Sequence, residues 1–186
     1  HGNEKLQNYF SYANTTGHGI IGKHNLSKHN LTFRETSVLL NSRLKLDGSM
    51  NLMRQVVKNK PTVGGFYMNP LVGLYRFPRG EDISYYKENF EVYDEGRNLN
   101  IQNWHTSYED FEQNPYWITN RILSKENRMH VIVSLSANLK INDWLSLQAR
   151  GNVDYINDKV RQQFYASTAP ALAGANGRYI EMDYQE

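Results

Sequence analysis

The feature that most constrains this chain is strict alternation. Met129, Val131, Val133, Leu135, Ala137, Leu139 and Ile141 are apolar, while His130, Ser134, Ser136, Asn138 and Lys140 between them are polar, Ile132 being the exception. A period of two gives a strand with one oily and one wet face. After Asn142 and Asp143 the pattern resumes, with Leu145, Leu147, Ala149, Gly151, Val153 and Tyr155 against Ser146, Gln148, Arg150, Asn152 and Asp154. Two such runs around a short polar turn predict a tight antiparallel hairpin. A second hairpin is predicted around Asn41 to Arg43, because Leu44, Leu46, Gly48, Met50 and Leu52 alternate with Lys45, Asp47, Ser49 and Asn51. Its partner run, Asn30 to Leu40, is less regular. Leu31, Phe33 and Leu39 share a face with Glu35 and Ser37, which predicts a bulge or a stretch beyond the apolar zone. A further strand is predicted from Leu6 to Ala13, where alternation does not decide which side faces out. The predicted strands are thus 6–13, 30–40, 44–57, 128–141 and 145–156.

The chain has 186 residues, room for about one domain. Its Lys+Arg 21 against Asp+Glu 19 leaves a net charge of +2, so no nucleic-acid partner is indicated. No run of roughly 18 apolar residues exists, which excludes a transmembrane helix but not transmembrane strands of about 10 alternating residues. Cysteine is absent, so thiolate chemistry and a disulfide framework are excluded.

Between the hairpins lie residues 58–126, far longer than the roughly 12–15 residues at which a loop must be functional or separately structured. This stretch holds 13 of the 23 aromatic residues and four of the five prolines. Short helices are predicted at Asp82–Phe90 and Tyr108–Asn114. Short turns at one end of a sheet and long connections at the other are the asymmetry of membrane barrels. The 11 residue-to-residue steps from Trp144 to Tyr155 extend about 36 Å, or roughly 26 Å when tilted by about 45°, close to the apolar band of an outer-membrane barrel.

Several strings carry a more specific likeness: YFSYANTTG (9–17), HNLTFRETSVLLNSRLKLDGSMN (29–51), GGFYMNPLVGLYRFPRG (64–80), NFEVYD (89–94), QNPYW (113–117) and FYASTAPALAGANGRYIEMD (164–183). In this order and along nearly the whole chain they resemble the SusC/RagA family of TonB-linked outer membrane proteins, nutrient importers of Bacteroidetes. The resemblance implies an all-β fold, a segment of a large antiparallel transmembrane β-barrel of about 22 strands with long extracellular loops. It implies as partners a SusD-like surface lipoprotein acting as lid, the TonB complex, the lipid bilayer of a Gram-negative outer membrane, and an oligosaccharide or peptide cargo. The leader, TonB box, plug domain and closing strand of that family are not recognisable here, so the chain is expected to be an internal piece: about five strands and two outer loops, the second beginning near Asn157.

Other motifs have plainer readings. Gly17, Gly19 and Gly22 match a dinucleotide fingerprint in spacing, but no helical periodicity follows, so they read as a loop turn and no cofactor is expected. His24 and His29 lack a third ligand, and no metal site is expected. Glu81 with Asp82, and Glu109, Asp110 and Glu112, are the candidate carboxylate pairs for a glycosidase, which would need a fixed separation across a cleft. No GxSxG elbow surrounds any serine, so a nucleophilic enzyme is not indicated. Arg34, Lys45, Asp47, Arg150, Asp154 and His130 fall on polar strand faces that would line a barrel interior.

Ligand contact is expected from Trp104, Tyr108, Tyr116 and Trp117, whose rings can stack on sugars, with Asp110 and Asn114 as polar partners. The plainer reading is that these rings form the loop's own core. The function expected is import of a glycan, with strands as wall and loops for capture, and no bond chemistry. The alternative is a soluble all-β carbohydrate-binding module whose two apolar faces pack on each other.

Overall fold

A computed structural model describes residues 2–3, 5–64, 67–106 and 112–186. Its main feature is one six-stranded antiparallel sheet. In chain order the strands are β1 (Leu6–His18), β2 (Asn25–Leu39), β3 (Leu44–Lys58), β6 (Ile122–Lys140), β7 (Ser146–Phe164) and β8 (Arg178–Gln185), adjacent in space in that same order. The connection between β3 and β6 contains α1 (Pro70–Arg76), α2 (Ile83–Glu88), the hairpin β4 (Glu91–Asp94) and β5 (Leu99–Gln102), and α3 (Pro115–Arg121); α4 (Pro170–Ala173) lies between β7 and β8.

The alternation becomes geometry through the register. Residues directly opposite in an antiparallel pair share a face, and the pairs run Phe10–Phe33–Met50–Val133–Val153, then Tyr12–Leu31–Leu52–Val131–Tyr155 one step along, and Leu39–Leu44–Leu139–Leu147 toward the tight turns. The apolar faces of both hairpins therefore lie side by side on one surface of one sheet. That surface is uncovered: Leu135 is 63% exposed, Leu147 61%, Val153 61% and Phe10 65%. Over five strands and eight residues it measures roughly 24 Å by 27 Å, larger than the few hundred square ångströms a soluble monomer leaves in contact with water.

Pairing also settles β1, since Leu6, Phe10 and Tyr12 stand opposite Ser37, Phe33 and Leu31 and so join the apolar surface. The β2–β3 register is unbroken from Asn25–Lys58 to Leu39–Leu44, so the irregular run contains no bulge. Glu35 and Ser37 stay on the apolar face, where the Ser37 hydroxyl donates to Glu35 Oε1 at 3.4 Å. Glu35 stands opposite Gly48, which leaves room beside its carboxylate.

The strands are longer than the alternation suggests. β1 reaches His18, β2 starts at Asn25, β6 starts at Ile122 and β7 continues to Phe164. The long connection thus spans 59–121, and the second begins after Phe164 instead of near Asn157. The β8 strand is additional to those expected. The extensions were hidden because polar residues occupy both faces beyond the Tyr155 row, leaving no alternation to read. Helix α2 falls within the expected 82–90. The expected helix at Tyr108–Asn114 is not found in its described part: Glu112, Gln113 and Asn114 are non-helical, and α3 starts at Pro115. Pro70, Pro115 and Pro170 occupy first-turn positions, where the missing N–H costs nothing, so these prolines start helices.

Candidate ligand-contact site

The packed interior of the molecule lies in its loops. In the six-stranded sheet only Ile122, Asn157 and Phe164 are buried among the described residues, and Ile122 and Phe164 lie at the end where the long connections begin. There Ile118, Ile122, Phe164 and Ala173 form an apolar cluster joined by Met68, Leu172 and Ile180. The 59–121 connection and the β7–β8 loop interlock as one cap. Trp117, 0% exposed, donates its Nε1 hydrogen to Thr168 Oγ1 at 3.0 Å. Gln113 Oε1 accepts from the Ala169 amide at 2.8 Å, and the Gln102 amide donates to Ser167 Oγ at 3.0 Å. Arg121 grips Glu91 with two bonds of 2.7 and 2.6 Å while lying 4.9 Å from the centre of the Tyr165 ring. The Glu91 hydrogen bond is the main cause of an Arg121 pKa above its ordinary value, partly opposed by burial.

These contacts define the sequence-predicted residues. Asn114 is fully buried. Its Oδ1 caps α3 through the Tyr116 amide at 2.8 Å, and its Nδ2 donates to the carbonyls of Asn103 at 2.7 Å and Tyr86 at 3.0 Å. Trp117 and Asn114 therefore build the cap and offer no surface to a ligand in this conformation. Tyr116 is half-buried, its carbonyl held by Asn120 Nδ2 at 2.6 Å. Tyr108 and Asp110 lie outside the described residues.

Trp104 belongs to a ring cluster with Phe77, Tyr85, Tyr86 and His105. Its ring centre is 5.3 Å from Phe77, 5.2 Å from Tyr86 and 4.8 Å from His105. Tyr85 extends the cluster outward, 5.1 Å from Tyr86 and 52% exposed. The cluster is anchored on Glu112, which is 3% exposed and accepts from Trp104 Nε1 at 3.2 Å, His105 Nε2 at 2.8 Å and Arg76 Nε at 3.0 Å. A buried carboxylate requires such donors, so its visible role is to hold ring faces in place. Partial burial, with Glu81 nearby, raises the Tyr86 phenol pKa above its ordinary value.

The remaining carboxylates have structural partners. Asp82 caps α2 through the Ser84 amide at 2.8 Å, and Glu81 accepts from the Tyr86 hydroxyl at 3.4 Å. Glu109 and Asp110 lie outside the described residues. No group of three metal-ligating side chains occurs among the described residues. Gly17 is in β1 and Gly19 and Gly22 are in the turn after it, with no helix following.

On the polar face of the sheet, Asp47 accepts from Arg34 at 3.1 and 2.9 Å and from Thr36 at 3.0 Å. His130 Nε2 lies 2.6 Å from Asp154 Oδ1. These pairs join neighbouring strands.

What the arrangement can do is present ring faces. Tyr75 at 86%, Tyr85 at 52%, Tyr93 at 60% and Tyr165 at 44% are exposed on the cap. Sequence reasoning nominated Trp104, Tyr108, Tyr116 and Trp117 and passed over these tyrosines; the position of Tyr85 within α2, a short helix without buried residues, was the signal that could have found it. No protein-family model matches the chain, and no curated protein matches it.

Proposed function

We propose that this chain forms wall and outer-loop cap of a TonB-linked outer-membrane importer of the SusC/RagA kind, taking up an oligosaccharide beneath a SusD-like lid. The observation that carries the reading is the single-layered sheet with one open apolar surface and one ion-paired polar surface. A bilayer satisfies the first and a hydrated lumen or plug the second. The carbohydrate-binding module gains nothing from this arrangement. Its two apolar faces would have to oppose each other, and here they are coplanar neighbours through β3–β6 pairing.

In this reading the tight turns at 40–43 and 141–145 face the periplasm, and the cap faces outward. Exposed tyrosines on a cap held rigid by Glu112, Trp117 and Arg121 supply stacking surfaces for uncharged sugar rings. Transport then consists of capture and gated passage, without bond chemistry, and TonB coupling belongs to a plug.

Fractionation of cells making the full protein tests this. The importer reading predicts that it sediments with outer membranes, resists washing at high salt and alkaline pH, and is released by detergent. Release by washing alone would refute it.

A further inference from the structure

Above the apolar band, the same outward face of the sheet changes character. The row after Tyr12–Leu31–Leu52–Val131–Tyr155 is Asn14–His29–Arg54–Met129–Asn157, and two rows further comes His18–Asn25–Lys58–Lys125–Arg161–Glu181. Arg161 is neutralised by Glu181 at 2.9 Å, and Lys159, in the row between, by Asp183 at 2.9 Å. Arg54, Lys58 and Lys125 are exposed and have no ion pair among the described residues. Lys58 and Lys125 are direct cross-strand partners, an arrangement in which like charges stand about 5 Å apart at Cβ and repel. An anion between them would turn that repulsion into attraction.

We propose that Arg54, Lys58 and Lys125 form a binding site for the phosphate groups of an anionic lipid in the outer leaflet. The proposal rests on the membrane reading above, because that reading fixes the height of these residues. With a strand tilt of about 45°, Arg54 stands about 5 Å and the two lysines about 14 Å beyond the Tyr155 ring level, in the headgroup layer. Lysine stems can lie along the sheet and bring their ammonium groups back toward a phosphate. The occupant is argued from charge complementarity and from the adjoining apolar band: a ligand resting there has acyl chains against Leu52, Val131 and Tyr155 and an anionic head against the cations. A free anion has no use for the apolar half.

The test uses the full protein reconstituted into phosphatidylcholine bilayers with or without diphosphoryl lipid A. Retained lipid A is measured after detergent extraction, alongside the thermal unfolding midpoint. Wild type is expected to retain lipid A and to melt at higher temperature in its presence, with both effects weakened by salt. The triple variant Arg54→Gln, Lys58→Gln, Lys125→Gln is expected to bind about 100-fold more weakly, on the order of fivefold per removed charge, while still inserting. Arg34→Gln on the polar face is the control and keeps full retention. Equal retention by wild type and triple variant would overturn the lipid site and leave the membrane reading standing. The same stabilisation by inorganic phosphate in phosphatidylcholine alone would overturn the lipid assignment. Failure of wild type to enter any bilayer would overturn both.

Discussion

Trp117 and Tyr85 show how different two aromatic residues of one loop can be. Trp117 is fully enclosed and hydrogen-bonded to Thr168, so Trp117→Ala should cost about 3–5 kcal/mol of cap stability and lower the surface abundance of the full protein in proportion. Tyr85 is half exposed at the rim of the ring cluster. Tyr85→Ala should leave abundance unchanged and weaken glycan binding, by about 0.5–1.5 kcal/mol if one stacking face is lost. Binding measured on equal amounts of folded protein separates the two effects. Backbone strain offers another test. Leu40, Asn41 and Ser42 in the β2–β3 turn have φ of 51°, 51° and 69°, a region that costs most L-residues about 1–2 kcal/mol. Ser42→Gly should therefore stabilise the hairpin by about 1 kcal/mol, read as slower unfolding in detergent. An unchanged or faster rate would argue against that turn geometry.

At the scale of elements, the sheet was legible where its two faces differ and illegible where they do not. Met129–Ile141 and Leu145–Tyr155 declared their strands because apolar and polar side chains alternate along them. Ile122–Arg128 and Asn157–Phe164 did not, because both faces there carry polar residues; their strand state is set by pairing with each other. The candidate site was less legible still. Burial of Trp117 and Asn114 depends on how α3 docks against Thr168 of the β7–β8 loop and against the Tyr86 and Asn103 carbonyls, contacts between separate segments that no local pattern encodes. The β8 strand illustrates the same point, since it is held by β7 and by cross-strand charges. Glu181 has a lowered pKa, chiefly through the Tyr179 hydroxyl at 2.7 Å and then Arg161; Asp183 is lowered chiefly through Lys159. A depressed carboxylate pKa stabilises the fold above its unfolded value, and that contribution disappears as pH falls through the folded value. β8 amides should thus exchange hydrogen faster once the pH drops below about 4, while those in the β3–β6 pair stay protected. Uniform behaviour of both would contradict the role of these ion pairs.

For the whole molecule, the distribution of burial is the informative quantity. A soluble domain hides its sheet and exposes its loops, whereas here the loops contain Trp117, Gln113, Asn114 and Thr168 at 0–1% exposure and the sheet is open on both sides. Apart from a Gly2–Gln7 bridge on β1, the outer strands β1 and β8, and β7 from Ser146 to Tyr155, present edges unpaired among the described residues. Open edges and an open apolar face are liabilities in water. Both are relieved if neighbouring strands continue the sheet and hydrocarbon covers its outward surface. Among the described residues, the one carboxylate within the apolar band of that surface is Glu35, which sits opposite Gly48.

Because the chain contains no cysteine, a cysteine scan along β6 from Val131 to Leu139 in the full protein, reconstituted in bilayers, tests this most directly. Each site carries a polarity-sensitive fluorophore and is challenged with a lipid-borne quencher. The account predicts quenching that alternates, strong at Val131, Val133, Leu135, Ala137 and Leu139 and weak at Ser134, Ser136 and Asn138. Quenching that is absent at the odd positions, or equal at both sets, would contradict it.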